Sequence, residues 1–209
     1  MTPESAQPAE AEEAAPEEVA PAEDSARAPR ELDPEAAARR AAALAHVRQF
    51  GDPVLKARAV PVERFDDTLR AEVARMAAIM RDALGIGLAA TQVGVMHRLL
   101  VYRLGEDAPL AAVVNPAIEW AGSEEDTVEE GCLSLPGVHV DVDRPVHVRV
   151  RAQDERGEDL TIEASGLEAR VLQHEIDHLD GVLMIDRTSR EQRKEAMRAL
   201  REAEAARAA

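Results

Sequence analysis

The sequence predicts an α+β fold, in which a mainly antiparallel β-sheet packs around a central helix, with a C-terminal helix and a disordered N-terminal tail. Apolar residues recur every three or four positions in several segments, as they do in amphipathic helices. Short apolar or alternating runs between these segments are typical of strands. Along the chain the elements follow one another as helix, several strands, helix and helix, without an internal repeat.

The first of these helices covers residues 67–84. Asp66 or Asp67 can cap its start, and Gly85 occupies a position at which glycine commonly ends a helix.

The central helix is bounded by Ser165 and Gly181. Ser165 followed by Glu168 fits a capping box, and the last helix begins after Ser189 with Gln192 at the corresponding position. Four runs are predicted as strands, namely Leu99–Leu104, Ala111–Val114, Val146–Arg151 and Leu160–Glu163.

The first 45 residues differ in composition from the rest of the chain. They contain eleven acidic residues against four arginines, and they lack Phe, Trp, Tyr and Ile. Such a segment cannot bury enough apolar surface to offset the entropy of ordering, so residues 1–45 are predicted to be an acidic, Ala/Pro/Glu-rich disordered extension. Within and just beyond it, the alanines of residues 34–48 favour a helix with Pro34 in its first turn.

Charge and cysteine content exclude several classes of function. The formal net charge is −16 over 209 residues. The chain is therefore not expected to bind nucleic acid or anionic membranes through its overall electrostatic field, although binding through a local basic patch is an open alternative. The single cysteine, Cys132, leaves no partner for an intramolecular disulfide. No run of eighteen apolar residues and no secretory signal pattern is found, so we expect a cytoplasmic protein without a membrane partner.

The central helix contains the pattern His174-Glu-Ile-Asp-His178. Histidines four residues apart lie on one face of a helix and can reach the same metal ion, while Glu175 can face the attacking water as a general base. The alternative is a pair of solvated or core histidines. The pattern therefore predicts a metal-binding helix.

A catalytic site usually has three protein ligands and one open position. Downstream of His178, only Asp180, Asp186 and Glu191 are candidates, and none lies at a persuasive spacing. Upstream, Cys132 lies between a glycine and a proline in a segment with loop character. Because a thiolate is a strong, soft ligand, a Cys-His-His site is the leading geometry, although a lone cysteine is often an inert buried residue.

Three segments together resemble the peptide deformylase family. They are Gly85-Ile-Gly-Leu-Ala-Ala-Thr-Gln-Val-Gly94, Glu130-Gly-Cys-Leu-Ser134 and Gln173-His-Glu-Ile-Asp-His-Leu-Asp-Gly181. They are similar to the family motifs GxGxAAxQ, EGCLS and QHExDH, in the same order. The resemblance covers roughly residues 47–187.

The resemblance implies an enzyme that removes the formyl group from the N-terminal formyl-methionine of nascent polypeptides by attack of a metal-activated water, releasing formate. It implies Cys132, His174 and His178 as ligands of one Fe²⁺ ion per chain, with Zn²⁺, Ni²⁺ or Co²⁺ able to substitute. Glu175 would accept a proton from the attacking water and pass it to the leaving amine. Gln92 and the Leu133 backbone N–H would stabilise the oxyanion.

Substrate contacts are implied in the same way. Backbone groups of Ile86, Gly87 and Gly131 would hold the peptide as an added strand, a mode that reads main chain and so accepts many sequences. Ile86, Val171 and His174 are candidate walls of an apolar pocket for the methionine side chain.

Three charged residues are expected to support the site. Glu130 and Arg144 are expected to form an ion pair under the Cys132 loop, since the family often shows both charges. Asp177 is a candidate partner for the second ring nitrogen of a metal-binding histidine, or else a solvated helix residue.

The chain is accordingly divided into an extension at 1–45, a metal-dependent deformylase domain at 46–188 and a C-terminal helix at 189–209. Five basic residues form a stripe on that last helix, namely Arg190, Arg193, Lys194, Arg198 and Arg201. A solvated surface and a ribosome-docking element are both open interpretations of this stripe.

Two other functions are alternatives to the interpretation as a metal-dependent deformylase. One is a different zinc hydrolase, such as a protease, which would not need Cys132. The other is a non-catalytic ribosome-associated module with a structural metal, which would need neither Glu175 nor Gln92.

Overall fold

The structure, a computed structural model, describes residues 32–105 and 107–208 of the chain. The first 31 residues of the extension predicted to be disordered lie outside the described residues, as does Ala209 of the predicted C-terminal helix. None of the helices in the described ranges has both the length and the apolar character that crossing a membrane requires.

These residues contain helices and strands in the order that the sequence predicts. The α-helices are α1 Pro34–Leu44, α2 Asp67–Asp82, α3 Gly166–Leu179 and α4 Arg190–Ala208. The strands are β1 Gly87–Ala89, β2 Leu99–Tyr102, β3 Ala111–Ala121, β4 Glu125–Cys132, β5 Leu135–Pro145, β6 His147–Gln153 and β7 Asp159–Ser165.

All pairings between these strands are antiparallel. Five strands form one sheet in the order β1-β2-β3-β6-β7, while β4 and β5 form a separate hairpin. Strands β6 and β7, which contain the predicted runs Val146–Arg151 and Leu160–Glu163 almost entirely, pair with each other. The α+β class with mainly antiparallel sheets is confirmed.

The five-stranded sheet is packed between two helices. Successive residues of a strand point to opposite faces, and Leu99 and Leu100 accordingly belong to different core clusters. The first cluster contains Met76 of α2 and the second contains Leu172 of α3, and neither side chain has exposed surface. This packing makes α3, the predicted metal-binding helix, a central element of the domain.

The β4–β5 hairpin has its own apolar face, built from alternate residues of β5. Val138, Val140 and Val142 are buried together with Ala196 and Leu200 of α4. The C-terminal helix is therefore part of the core of the domain.

Neither strand of this hairpin is among the predicted strands. Residues 125–129 of β4 are all exposed, and most of them are acidic. Because neither face of this part of the strand is buried, its sequence shows no alternation of apolar and polar residues. The segment around Cys132, predicted as a loop, is the end of β4 and the turn that follows it. The alternation Val138-His-Val-Asp-Val142 is a strand signal in β5 that the sequence does carry.

Helix α2 begins as predicted and ends earlier. Asp66 caps it by accepting hydrogen bonds from the backbone of its first turn. The helix ends at Asp82, and Leu84 instead of Gly85 adopts the left-handed conformation that follows, with φ 61°. Gly85 is needed for space, because a Cβ there would lie 2.9 Å from a carbon of the Leu133 side chain.

The capping boxes predicted for the last two helices form only in part. The Ser165 side chain makes no capping hydrogen bond, and Glu168 accepts a hydrogen bond from the Tyr102 hydroxyl at 2.6 Å instead. The Ser189 hydroxyl does accept one from the Gln192 backbone N–H at 3.2 Å. The Gln192 side chain, however, hydrogen-bonds to β5. In both helices a tertiary partner competes successfully for the side chain.

Helix α1 forms where alanine propensity predicts it. Asp33 caps it, it packs beside α2, and Arg40 Nε donates to the carbonyl of Ala83 at 3.3 Å. From Pro34 to Leu44, the extension is therefore helical and packed on the domain instead of disordered.

Candidate metal centre and active-site cavity

Helix α3 places the two predicted histidine ligands side by side. His174 and His178 are one helical turn apart, and their ring centroids are 5.0 Å from each other in an edge-to-face arrangement. The apolar side of the helix, including Leu172 and Ile176, is buried against the five-stranded sheet. This packing leaves the histidine face directed away from the sheet, towards the β4–β5 hairpin.

The third predicted ligand comes from the end of β4. Cys132 Sγ lies 3.2 Å from Nε2 of His178. The candidate ligand atoms of Cys132, His174 and His178 all lie within 4.8 Å of one another. Among the described residues, this is the one group of at least three such side chains close enough to share an ion.

The donor set, one thiolate and two imidazoles, fits a divalent transition-metal ion. Burial lowers the pKa of His178 well below its ordinary value, and the neighbouring positive charges of His174 and Arg144 act in the same direction. A neutral imidazole retains the lone pair that a metal needs. Burial also lowers the pKa of His174, but the Cys132 sulfur and the Glu130 carboxylate outweigh it and raise that pKa well above normal. One thiolate with two imidazoles suits both Fe²⁺ and Zn²⁺.

Glu175 lies beside this ligand set in a buried environment. Burial raises the pKa of its carboxyl to about 7, with the Glu130 charge acting in the same direction and His174 and Arg144 opposing it. Its Oε2 has no hydrogen-bond partner in the described structure. The Glu175 side chain fills the space beside Gly87, so that no larger residue could stand at Gly87 without displacing it. A carboxyl group that titrates near neutrality is suited to proton transfer.

Gln92 presents its amide nitrogen to the same place. The residue belongs to a short 3₁₀ helix after β1 and is 2% exposed. Its Oε1 accepts a hydrogen bond from the Ala89 backbone at 2.9 Å, which fixes the orientation of the amide. Its Nε2 lies 3.2 Å from Ser134 Oγ and 3.5 Å from Cys132 Sγ. Leu133, whose N–H is the other expected oxyanion donor, lies in the turn between β4 and β5.

A buried network of charges lies behind the ligands. Arg144 of β5 holds Glu130 of β4 with two hydrogen bonds, at 2.6 and 3.0 Å, so the expected ion pair is present. Glu130 accepts a further hydrogen bond from Nδ1 of His174 at 2.9 Å. Although burial raises the pKa of Glu130, these partners lower it far below the ordinary value and keep the carboxylate charged.

Asp177 belongs to this network in a different way from the one expected. It does not contact a histidine ring; it accepts a hydrogen bond from Arg144 Nη1 at 2.9 Å and pairs with Arg187. The partner of the second ring nitrogen of His174 is Glu130. Arg170, which sequence reasoning missed, also donates to Glu130 at 2.9 Å. Its position one helical turn before His174 is the signal that could have found it.

The site opens into a cavity of about 640 Å³. The predicted substrate-binding residues Ile86, Gly87, Gly131 and Val171 all line it, as do Gln92, Cys132, Leu133, His174 and Glu175. His178 is absent from the lining and is 1% exposed, so it lies behind the others. Arg40 and Leu44 of α1 line the outer part of the cavity and were not predicted to contribute to it.

The family assignment follows from sequence comparison. The sequence model of the polypeptide deformylase family matches residues 44–194. The peptide deformylase of Parafrankia sp. strain EAN1pec is 47% identical over 158 residues, which cover 76% of this chain and 86% of that protein. The peptide deformylase of Thermotoga neapolitana is 50% identical over 141 residues, covering 68% of this chain and 85% of that protein.

Solved structures share the architecture as well as the sequence. A peptide deformylase from Legionella pneumophila superposes with a TM-score of 0.73 and 40% identity, over 78% of this chain and 96% of that chain. One from Synechococcus elongatus in complex with actinonin has a TM-score of 0.71 and 44% identity, over 73% and 85% of the respective chains. The chain therefore belongs to the polypeptide deformylase family, whose members are metal-dependent hydrolases that remove the formyl group from the N-terminal formyl-methionine of nascent polypeptides.

Proposed function

We propose that Cys132, His174 and His178 hold the catalytic ion, and that Glu175, Gln92 and the Leu133 backbone carry the deformylation reaction. The observation that carries this proposal is the convergence of two unlike groups on the three ligand atoms. A buried carboxyl with a pKa of about 7 and an amide nitrogen fixed in orientation line the same cavity as Cys132 and His174. A purely structural metal site would need neither group.

Each of these residues has a separate role in the reaction, which depends on whether its side chain or backbone group binds the ion, transfers a proton or donates a hydrogen bond. A divalent ion held by the three ligands would lower the pKa of a bound water and supply hydroxide near neutral pH. Glu175 accepts the proton that the water loses and returns it to the leaving amine, a transfer that suits a carboxyl group titrating near the working pH. The Gln92 amide and the Leu133 N–H donate to the oxyanion that develops on the formyl oxygen.

The open strand edges around the cavity support binding of the peptide as an added strand. Within residues 32–105 and 107–208, β1 pairs only with β2 and β4 only with β5, so each has one edge without a strand partner there. Ile86 and Gly87 at the β1 edge and Gly131 at the β4 edge line the same cavity. A peptide between them can form hydrogen bonds through its main chain, so that binding depends little on the identity of its side chains.

The methionine side chain is assigned to the inner part of the cavity. Ile86, Val171 and His174 form its walls in this proposal, and all three line the cavity. Val171 is 4% exposed, whereas Ile86 is 48% exposed, so the apolar surface runs from the buried helix face to the rim.

For the resident ion we propose Fe²⁺, with Zn²⁺, Ni²⁺ or Co²⁺ able to substitute. The support is the mixed donor set, because a soft thiolate combined with two imidazoles is suitable for iron as well as zinc.

The buried network positions His174. Glu130 accepts the Nδ1–H of the ring, which leaves Nε2 free for the metal and fixes the ring plane. Arg144 keeps Glu130 charged and ties it to Asp177 of the same helix. The network is therefore proposed to preorganise the metal centre.

We also propose a cytoplasmic location and a contact with the ribosome through α4. Ala196 and Leu200 bury one side of this helix. On a helical projection, Arg190, Lys194 and Arg201 lie within about 40° of one another, centred about 120° from that side, and all three are exposed. In an acidic chain, such a local basic surface is suited to a polyanion.

Glu175→Gln is the variant that tests the chemistry. It removes the proton carrier without removing a metal ligand, so we expect kcat for formyl-Met-Ala-Ser to fall about 10²–10⁴-fold while the metal content stays unchanged. Anaerobic formate release and metal analysis measure the two quantities. Glu168→Gln on the same helix is the matched control and should retain activity. Normal turnover by Glu175→Gln would contradict the assignment.

The identity of the ion is tested by loading the metal-free protein anaerobically with Fe²⁺ or Zn²⁺. Zn²⁺ is expected to bind more tightly, following the Irving–Williams order. The Fe²⁺ form is expected to have the higher kcat/KM, because Zn²⁺ favours four ligands and tolerates an additional oxygen ligand less readily. Equal or faster formate release by the Zn²⁺ form would contradict iron as the resident ion.

Arg144→Met tests the network. The substitution leaves Glu130 and Asp177 buried without their shared cation, so we expect a loss of about 3–5 kcal/mol in unfolding free energy and a 10–100-fold loss of metal affinity. Urea denaturation and competition with a chelator measure these effects. Arg149→Met, which removes an exposed ion pair with Glu163, should change stability by at most about 1 kcal/mol. A similar, small effect of both substitutions would refute the role given to Arg144.

The ribosome contact is tested with Arg190→Gln, Lys194→Gln and Arg201→Gln combined in one variant. Truncation at Ser189 is less informative because it also removes Ala196 and Leu200 from the core. We expect salt-sensitive cosedimentation of the full chain with ribosomes and its loss in the triple variant, with circular dichroism unchanged.

The matched control for the triple variant neutralises three acidic residues on the adjacent part of α4, at Glu191, Glu195 and Glu202. It should cosediment at least as well as the unmodified chain. Equal cosedimentation of the basic-stripe variant and the unmodified chain would show that α4 is a solvated surface only.

A further inference from the structure

We propose that Arg40 of α1 is a specificity-determining residue that recognises a carboxylate on the substrate, in the two residues that follow the formyl-methionine. This proposal rests on the deformylase function and on the added-strand binding mode, and concerns a residue outside the motifs that define the reaction. The chemical group it would take is an acidic side chain of the nascent peptide.

The first argument is position. Helix α1 packs beside α2, and Arg40 Nε donates to the carbonyl of Ala83 at 3.3 Å. Ala83 immediately follows α2, and the chain then turns through the left-handed residue Leu84 into β1. Arg40, Leu44 and Leu84 together line the outer part of the active-site cavity. Arg40 is thus anchored at the rim, next to the segment that would pair with the peptide.

The second argument is the direction of the peptide. The formyl group must come within reach of Glu175, the proposed proton carrier, which lies beside Gly87. The remainder of the peptide then follows the segment outwards, from Gly87 past Ile86 towards Leu84. An extended chain rises about 3.3 Å per residue, so three residues of peptide span this distance. The second and third residues therefore pass the position of Arg40.

The third argument is the availability of the charge. In Arg170, the other arginine of the cavity, both terminal nitrogens already donate, to Glu130 and to the carbonyls of Asp126 and Val142. Arg40 makes one hydrogen bond, through Nε, and no ion pair within the described part of the chain. Its terminal guanidinium nitrogens are consequently open to a carboxylate, which they can bind in a bidentate manner. Glu129 of β4 also lines the cavity and carries the opposite charge. The expected preference for a carboxylate is therefore confined to the part of the cavity next to Arg40.

The experiment compares kcat/KM for isosteric pairs of amidated peptides with the metal-loaded enzyme. Formyl-Met-Ala-Glu-amide is compared with formyl-Met-Ala-Gln-amide, and formyl-Met-Glu-Ala-amide is compared with formyl-Met-Gln-Ala-amide. We expect the enzyme to favour glutamate in at least one pair by about three- to fivefold, the size expected for an exposed ion pair. The preference should decrease with added salt, which screens exposed charges.

The variants assign the preference to one residue. In Arg40→Gln the Glu/Gln ratio should fall to one, and in Arg40→Glu it should fall below one. Arg39→Gln is the matched control, since Arg39 pairs with Glu35 on the exposed side of α1 and does not line the cavity. Its ratio should equal that of the unmodified chain. Comparing free-acid with amidated peptides separates a side-chain carboxylate from a terminal one.

Two outcomes would overturn the proposal. A Glu/Gln ratio of one in the unmodified chain would show that no carboxylate is recognised. A ratio that survives in Arg40→Gln would move recognition to another group of the cavity, such as His139 of β5, which also lines it. In both cases the peptides are still deformylated, whereas the absence of formate release from every peptide would contradict the proposed function itself.

Discussion

The pairing of one buried guanidinium with two buried carboxylates is the interaction on which the site depends. Arg144 of β5 contacts Glu130 of β4 and Asp177 of α3, and each of the three side chains is less than a tenth exposed. Burying any one of these charges without a partner would lower the stability of the fold by several kcal/mol. The packing of the hairpin against the helix that pairs all three charges is therefore favoured over packings that leave one unpaired. Cys132 follows Glu130 by two residues, and both histidines lie on α3. The arrangement that pairs the charges therefore also brings together the proposed metal ligands.

The same network explains why two neighbouring glutamates have different properties. Glu130 is surrounded by donors, and its pKa is held far below the ordinary value, so it stays charged and orients His174. Glu175 is buried with one oxygen unpartnered, and its pKa rises to about 7. The environment, not the side chain, separates the residue that orients a ligand from the residue suited to move a proton.

Local chemistry could be predicted from the sequence because it depends on spacing alone. A His-x-x-x-His pattern presents both rings on one face of any helix, and the amphipathic periods of α2 and α3 are independent of their partners. Features that depend on distant partners could not be predicted in this way. Glu168 bonds to Tyr102 instead of closing a capping box, and Asp177 bonds to Arg144 instead of a histidine ring. In each case a residue far away in sequence competes for the side chain.

The sequence by itself determined the α+β class and identified the candidate metal-binding helix, the three candidate ligands and the candidate general base. Each of these follows from short-range order or from motifs that occur in a fixed order along the chain. Only the tertiary structure decided how these parts meet. Strand β4 has no alternating pattern, because its side chains are mostly exposed, yet it delivers Cys132 to the histidines. Helix α1 forms where alanine propensity predicts it, but its place at the cavity rim results from packing against α2. Contacts between segments that are remote in sequence carry no local periodicity, and packing of the whole chain is what creates them.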